Sequence, residues 1–435
     1  MIYKITNFYH ILLRKFPSFF ALIYAFLFTF FLEKISNKKS YKKKIIVLNK
    51  ERFWNDLYEL DKSNELLFVY FDKKRLSLLT EPFVKTIRKR MTSTFWTDYK
   101  DTLFFSEYLN AHSKFIFYFL KYLNFFIKFD SIITPSLWYL QDKAFEKGSN
   151  LLNKKFIFLH KENTIDPVHF ESKLKVLNQK LIRFEPNSLI AVYNDNVKKI
   201  INNTKKINSK NIFTLGCPRM DNLVRLENDN PNKITLSSFR YNIGNILINR
   251  DARHQLETND PNLKLYFEKV HSIFIDLASK FNDKEFIIKI KYEHIWKKLI
   301  EDLKFQKEKK IDREINNLKI ICDEYTMSEI LRQSKLVVGI NSLSLIEART
   351  LGIPCLIPNF KEISDYQNGL LFKKYIGNEL IEVNNENELS TKIRDYLESD
   401  FKEIYTKYNK NFIEEYFGYS DKKSANRYVN FLLED

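Results

Sequence analysis

The chain has 435 residues, which is more than one hydrophobic core usually organises, so we expect two domains of comparable size. Its 44% hydrophobic and 15% aromatic residues exclude an intrinsically disordered chain. The net charge of +17 favours anionic partners such as phosphate-bearing substrates or anionic lipid. No nucleic-acid partner is expected, because the sequence lacks a Cys/His finger, an RNA-recognition core and a basic heptad region.

An uncharged apolar run, PSFFALIYAFLFTFFL, occupies residues 17–32 and is slightly shorter than the ~20 residues that cross a bilayer squarely. Cationic residues flank it on both sides: Lys4, Arg14, Lys15, Lys34, Lys38, Lys39, Lys42, Lys43 and Lys44. A membrane span, a re-entrant or interfacial helix, and a helix buried in its own domain all fit the run. We expect residues 1–43 to be membrane-associated, peripherally or as a single anchor, at the cytoplasmic face of the inner membrane, because the larger cationic cluster follows the run.

From residue 44 onward, short apolar runs alternate with amphipathic stretches, which predicts parallel α/β folding. The predicted strands of the first half are 45–48, 66–71, 131–134, 156–159, 188–193 and 212–215. The aromatic stretch 115–129 predicts either a core helix or a second membrane-facing surface. An Asn-rich stretch at 227–233 predicts the interdomain linker.

A second alternating series follows that linker. Its predicted strands are 246–249, 285–291, 318–322, 336–340 and 355–358. The resulting division is a membrane-associated segment 1–43, an N-terminal Rossmann-like domain 44–226, a C-terminal Rossmann-like domain 236–388, and C-terminal helices 389–435 that are expected to pack back across both domains.

The most informative stretch is LVVGINSLSLIEARTLGIPCLIPNF at residues 336–360. A buried strand ends there, a polar turn from Asn341 to Ser344 follows, and a helix then carries Glu347. In a parallel sheet this turn lies at the carboxyl edge, where a helix N-terminus offers free N–H groups to phosphate. Ser342 and Ser344 can add hydroxyl donors, and Glu347 can accept from ribose hydroxyls. The alternative is that Asn341 and the serines only cap the helix.

This stretch resembles the donor domain of GT-B glycosyltransferases, notably capsule and surface-carbohydrate biosynthesis proteins and the related CDP-glycerol glycerophosphotransferases. The matching residues are Asn341, Ser342, Glu347, Ala348, Gly352 and Pro354. The resemblance implies two Rossmann-like domains that face a cleft, with the nucleotide phosphates at this turn in the second domain.

The stretch LGCPRMDNL, residues 215–223, resembles the Gly-x-Pro-Arg-x-Asp element of the same families. Gly216 permits a tight turn and Pro218 fixes it. Arg219 and Asp221 are expected to pair and hold the hinge, and direct contact of Arg219 with the donor phosphate is the alternative. Residues 421–427, DKKSANR, are similar to the Asp-Gly-Lys segment of these families, but Lys422 replaces the glycine.

Cations at strand ends supply further phosphate candidates. Relatives often carry Lys-x-His-Pro where this chain has KIKY, so Lys289 is kept while Lys291 stands in place of the histidine. Arg250 follows the predicted first strand of the second domain, and a solvated surface role is its alternative. Lys291 can neutralise a diphosphate but cannot shuttle protons near neutral pH.

The first domain supplies the candidate catalytic base. The stretch FIFLHKE, residues 156–162, ends a buried strand in ionisable residues and resembles the His-Lys-Glu element of surface-carbohydrate proteins. Glu162 is the first choice for the base that deprotonates the acceptor hydroxyl, and His160 the second. Exposed strand-end residues without a catalytic role are the alternative.

The sequence has no Asp-x-Asp, Walker A or Gly-x-Gly-x-x-Gly motif, so neither a metal nor a cofactor is expected. The leading hypothesis is a metal-independent transferase that moves a sugar from a nucleotide-sugar to a lipid-linked or polysaccharide acceptor in bacterial surface polysaccharide (capsule or lipopolysaccharide) biosynthesis. A CDP-polyol phosphotransferase, a UDP-sugar 2-epimerase and a catalytically inactive membrane scaffold remain as alternatives.

Overall fold

The computed structural model describes residues 13–72, 74–80, 83, 103–137, 139–161, 170–181, 183–224, 231–239, 261–290, 295–322, 324–363, 370–400 and 409–434. The chain divides into two compact units. Unit 1 comprises Met1–Asn163, Lys173–Asp221 and Glu415–Asp435, and unit 2 comprises Thr164–Ser172 and Asn222–Glu414. Glu162, Arg250 and Lys291 lie outside the described residues.

Unit 1 is built on a seven-stranded sheet. Its strands are β1 (Glu33–Lys34), β2 (Lys43–Val47), β3 (Leu66–Tyr70), β4 (Ser131–Thr134), β5 (Lys155–Leu159), β6 (Ser188–Val192) and β7 (Ile212–Thr214), in the order β1-β3-β2-β4-β5-β6-β7. All neighbours are parallel except β1, which runs antiparallel to β3 at the edge. The strands are rich in Ile, Val, Leu and Phe and almost wholly buried, as expected for a parallel sheet covered on both faces.

The helices of this part of the chain are α1 (Pro17–Phe30), α2 (Trp54–Asp61), α3 (Leu103–Ile127), α4 (Leu140–Leu151), α5 (Phe170–Lys180) and α6 (Asp195–Asn203). The aromatic stretch 115–129, for which the sequence allowed either a core helix or a membrane-facing surface, lies mostly in α3. The buried side of α3 includes Phe115 and Phe119. Among the described residues, no helix is long and apolar enough to cross a membrane.

The far C-terminal stretch belongs to unit 1. Helix α13 (Ser424–Leu433) packs on the unit 1 sheet, with the rings of Phe213 and Phe431 4.8 Å apart between centroids. Asp221 accepts hydrogen bonds from the backbone N–H groups of Ser424 (3.1 Å) and Ala425 (2.6 Å), and it thereby caps α13.

Unit 2 contains a six-stranded, all-parallel sheet. Its strands are β8 (Lys233–Ser237), β9 (Glu285–Lys289), β10 (Leu318–Ile321), β11 (Ser334–Gly339), β12 (Cys355–Pro358) and β13 (Ile381–Val383), in the order β10-β9-β8-β11-β12-β13. Its helices are α7 (Pro261–Lys280), α8 (Ile295–Ile311), α9 (Met327–Arg332), α10 (Leu343–Thr350) and α11 (Glu386–Glu398), and α12 (Lys410–Phe417) follows them. In chain order within the unit, this is the 3-2-1-4-5-6 arrangement of a dinucleotide-binding fold.

The prediction of two α/β units with parallel sheets is confirmed, but the first strand of the second unit lies earlier in the chain than predicted. That strand is β8, which begins at Lys233, where the sequence analysis placed the end of a linker. The Asn- and Pro-rich residues before it masked a run, KITLS, whose members from Ile234 onward are all buried. The predicted strand 246–249 lies outside the described residues.

Candidate nucleotide-phosphate site

The strand order of unit 2 changes direction between β8 and β11. The chain runs from β8 through β9 to β10 on one side, and then returns to β11 on the other side of β8. Lys289, Ser237 and Gly339 are the last residues of β9, β8 and β11, and they are in register across these three strands. The carboxyl edge at such a switch point is where ligands bind in open α/β sheets.

Three serine hydroxyls meet at this edge and form what we call the hydroxyl triangle. Ser342 Oγ lies 2.6 Å from Ser344 Oγ, Ser344 Oγ donates to Ser237 Oγ at 2.8 Å, and Ser237 Oγ lies 3.2 Å from Ser342 Oγ. The triangle therefore joins the end of β8 to the loop after β11. Gly339 eases this approach, since a Cβ there would lie only 3.1 Å from the Cβ of Ser237 and the neighbouring atoms would have to shift by a few tenths of an ångström.

Helix α10 starts at this triangle. Ser342 is its N-cap, and its Oγ accepts a hydrogen bond from the backbone N–H of Ser344 at 3.3 Å. The first turn carries no acidic residue, so its positive dipole end is not neutralised by a carboxylate of the helix itself. The predicted capping role of Ser342 and its proposed phosphate role are therefore compatible, because one capped helix N-terminus still presents further N–H groups.

Asn341 shapes the turn before the helix. Its φ is 50°, in the left-handed region that asparagine tolerates better than most residues. Its side-chain Oδ1 accepts a hydrogen bond from the backbone N–H of Leu371 at 2.7 Å, so the side chain ties two loops of unit 2 together. Glu347 lies one helical turn further along α10 and is buried.

A histidine orients a fourth serine next to the triangle. His271 Nδ1 lies 2.7 Å from the carbonyl oxygen of Phe267, and Nε2 lies 2.8 Å from Ser238 Oγ. A carbonyl only accepts, so Nδ1 carries the proton and Nε2 accepts the Ser238 hydroxyl proton. Burial lowers the pKa of His271 to about 4, and the imidazole is therefore neutral at neutral pH.

Ser237, Ser238 and His271 were missed by the sequence analysis. One feature of the sequence could have indicated the two serines as site residues: they directly follow the strand run KITL, which is buried from Ile234 onward. Lys289 is half-buried at the end of β9, beside Ser237, which fits its predicted position at the same edge.

The predicted base candidates belong to unit 1. His160 follows β5 directly, its side chain is only 3% exposed, and its backbone N–H donates to the carbonyl of Ala191 at 2.8 Å. Glu162, the first choice, lies outside the described residues.

Arg219 and Asp221 each have a partner that the sequence analysis did not name. Arg219 Nη1 donates to Asp56 at 3.2 Å and to the hydroxyl of Tyr193 at 2.9 Å, all within unit 1. Asp221 caps α13, as described above, and burial raises the pKa of its carboxyl group. Arg219 forms a salt bridge with the buried side chain of Asp56 in unit 1, which favours a structural contribution for this arginine.

The turn around Gly216 has the predicted geometry of a tight bend. Gly216 has a φ of 87°, and a Cβ at this position would lie 2.3 Å from Ser424 Oγ. Pro218 is buried and begins a short 3₁₀ turn, Pro218–Met220. Lys422, the residue that replaces the family's glycine, has a φ of 59°, which is the conformation that glycine favours.

Unit 1 holds a second polar cluster at the switch point between β2 and β4. Asp142 in α4 is buried there, and its two carboxylate oxygens each lie 3.2 Å from Asn49 Nδ2. The hydroxyl of Thr134 also donates to this carboxylate. Burial raises the pKa of Asp142 to about 7, and the sequence analysis did not single out this residue.

Within the described ranges, no group of three or more His, Cys, Asp or Glu side chains is arranged to hold a metal ion. The three cysteines are buried and form no disulfide bonds, as packing residues would be.

No protein-family model matches the chain, and no curated protein matches it. Among solved structures it is similar to UDP-GlcNAc 2-epimerase from Neisseria meningitidis bound to UDP-GlcNAc, with 11% identity, 90% of this chain and 99% of the other covered, and a TM-score of 0.48. It is also similar to a glycosyltransferase from Rickettsia africae ESF-5, with 14% identity, coverage of 90% and 96%, and a TM-score of 0.43. A structure of the wall teichoic acid polymerase TagF gives 10% identity, coverage of 98% and 95%, and a TM-score of 0.47. The fold class follows from the strand orders of the two sheets.

Proposed function

We propose that this protein is a metal-independent glycosyltransferase that moves a sugar from a nucleotide-sugar to a lipid-linked or polysaccharide acceptor in bacterial surface polysaccharide assembly. The observation that carries the proposal is the hydroxyl triangle at the switch point of unit 2, directly at the start of α10. Hydroxyl donors and helix N–H groups suit a nucleotide diphosphate, which is the part that all such donors share.

The arrangement supports a specific division of labour in unit 2. When a donor binds, the hydroxyls of Ser237, Ser342 and Ser344 would turn from one another toward the diphosphate oxygens and donate to them, beside the first N–H groups of α10. Lys289, in register with Ser237, would place a positive charge beside them. Together these groups would stabilise the negative charge that develops on the departing nucleotide phosphate, the role that a metal ion plays in other transferases.

Glu347 would accept hydrogen bonds from the ribose hydroxyls of the same nucleotide. It lies one turn into α10, and it is buried rather than solvated. The acceptor hydroxyl would lose its proton to a base in unit 1, for which Glu162 and His160 remain the candidates. Replacing Glu162 with Gln should stop transfer and leave donor binding unchanged.

A ligand panel with matched variants tests the donor site. Thermal shifts would be recorded with UDP-, GDP-, CDP- and CMP-linked compounds for the wild type, for the double variant Ser342→Ala with Ser344→Ala, and for Ser399→Ala. Ser399 is a partly exposed serine directly after α11, where its hydroxyl donates to the backbone carbonyl of Asp395, and it serves as control. We expect the double variant to bind at least about tenfold more weakly, because each lost hydrogen bond to a charged group is worth about 1.5 kcal/mol or more.

Three results of this panel would separate the alternatives. A response of the wild type and the control, lost in the double variant, supports a donor site at the triangle. A response confined to CDP-glycerol would replace sugar transfer with polyol-phosphate transfer. Silence of the wild type toward every compound would contradict a transferase and favour an inactive scaffold.

A further inference from the structure

Helix α1 presents an exposed apolar stripe on the side opposite its buried face. The stripe consists of Phe16, Phe19, Leu22, Ile23, Phe26, Leu27, Phe30 and Phe31, which recur at intervals of three and four residues or adjoin one another. Phe19 and Phe30 are 62% and 70% exposed. On the other face, Ala21, Ala25 and Phe28 are buried. Apart from Ser18 and Thr29, the helix is apolar on all sides, and unit 1 covers only one side of it.

A second helix of unit 1 extends this surface. At the end of α3, Phe125 is 78% exposed, and Phe126 lies next to it with its ring centroid 5.9 Å from that of Phe26. The buried side of α1 packs on the same helix, with ring centroids of Phe28 and Phe119 5.5 Å apart. The stripe is therefore held on a packed two-helix support and not on a loose segment.

Cations border the stripe on each side. Arg14 and Lys15 directly precede it and Lys34 follows it, and all three are exposed. On α3, Lys121 lies one helical turn before Phe125 and is exposed as well. The nearest following acid, Glu33, is paired with Arg75 at 3.3 Å.

The length of α1 restricts what it can do in a bilayer. Its 14 residues rise about 21 Å, which is less than the roughly 30 Å of a hydrocarbon core. A helix too short to span a bilayer, with exposed Phe and Leu and a cationic border, is suited to the plane of the headgroup boundary.

We propose that the stripe, together with Phe125 and Phe126, inserts into the surface of an anionic bilayer, with the bordering cations against the lipid phosphates. A second copy of the chain is a poorer partner for this surface, because a symmetric contact would bring the identical cationic borders of the two copies together. This surface lies in unit 1 and does not depend on the donor site proposed for unit 2.

Vesicle flotation of the full chain tests the proposal. Phosphatidylcholine vesicles would be compared with vesicles that also contain phosphatidylglycerol, at low and high salt. The variants would be Phe19→Ser with Phe26→Ser, Lys121→Glu, and the control Phe305→Ser, an aromatic residue of unit 2 that is 65% exposed. We expect flotation with anionic vesicles that falls with salt, a loss of about tenfold or more for the double variant, and no change for the control.

Several outcomes would overturn the proposal. These are equal flotation of the double variant and the wild type, equal binding to neutral and anionic vesicles, and no effect of Lys121→Glu. If the wild type forms a concentration-dependent dimer and does not bind vesicles, and the double variant is monomeric, the stripe would be assigned to contact with a second copy of the chain. Unchanged melting temperature and unchanged nucleotide response of the double variant would show that its loss of flotation is not a loss of folding.

Discussion

Replacing Asp142 with Asn should remove a pH dependence of stability that is centred in unit 1. Burial raises the pKa of Asp142 from 3.8 to about 7. Between those values the folded protein keeps a proton that the unfolded chain has released, so the free energy of unfolding falls as pH rises. One pH unit in this window corresponds to about 1.4 kcal/mol, which gives roughly 2 to 3 kcal/mol between pH 5 and pH 7.5.

Urea unfolding at pH 5 and pH 7.5, monitored by a spectroscopic signal from unit 1, would measure this difference in the free energy of unfolding. The wild type should lose stability over this interval, whereas Asp142→Asn should lose about 2 to 3 kcal/mol less, because the amide does not titrate. Asp302→Asn serves as the control, since Asp302 is exposed on α8. The same pH dependence in the wild type and in Asp142→Asn would refute the reasoning.

Two backbone positions near the end of the chain give opposite expectations. Gly418 has a φ of 85°, and a Cβ there would lie 1.8 Å from the carbonyl oxygen of Tyr193, so Gly418→Ala should lower the free energy of unfolding by about 3 kcal/mol or more. An unchanged denaturation midpoint would contradict this contact. Lys422 has a φ of 59° and is exposed, so Lys422→Gly should raise stability by about 0.5 kcal/mol, as relief of the left-handed strain exceeds the entropy that glycine loses. A lower melting temperature for Lys422→Gly would contradict it.

Sequence periodicity was sufficient for most strands because a parallel strand buried on both faces is a short continuous apolar run. The runs LLFVY, KFIFL and SLIAV are such strands, and each was predicted to within one or two residues. Strand β8 was missed because it starts with Lys233 and ends in a serine, and the polar residues before it resemble a linker. A strand at a ligand-binding edge ends in polar side chains, so the apolar pattern that predicts strands is weakest next to the site.

The candidate site was found only in part for a related reason. Ser342 and Ser344 stand in one turn and could be recognised together, but Ser237 reaches them from 105 residues away. The same holds for Arg219, whose partner Asp56 is 163 residues distant and bears no local sign of the pairing. Contacts across a sheet depend on strand order, which spacing along the chain does not encode.

The hydrogen bonds from Ser424 and Ala425 to Asp221 have a consequence for the order in which the chain is made. Asp221 ends one segment of unit 1, and nearly 200 residues of unit 2 follow before the chain returns to unit 1 at Glu415. During synthesis, unit 2 therefore emerges in full while unit 1 still lacks the helix that covers part of its core. Unit 1 would be completed after unit 2, although most of it is made first, and in a released chain truncated after Glu414 unit 2 should resist proteolysis better than unit 1.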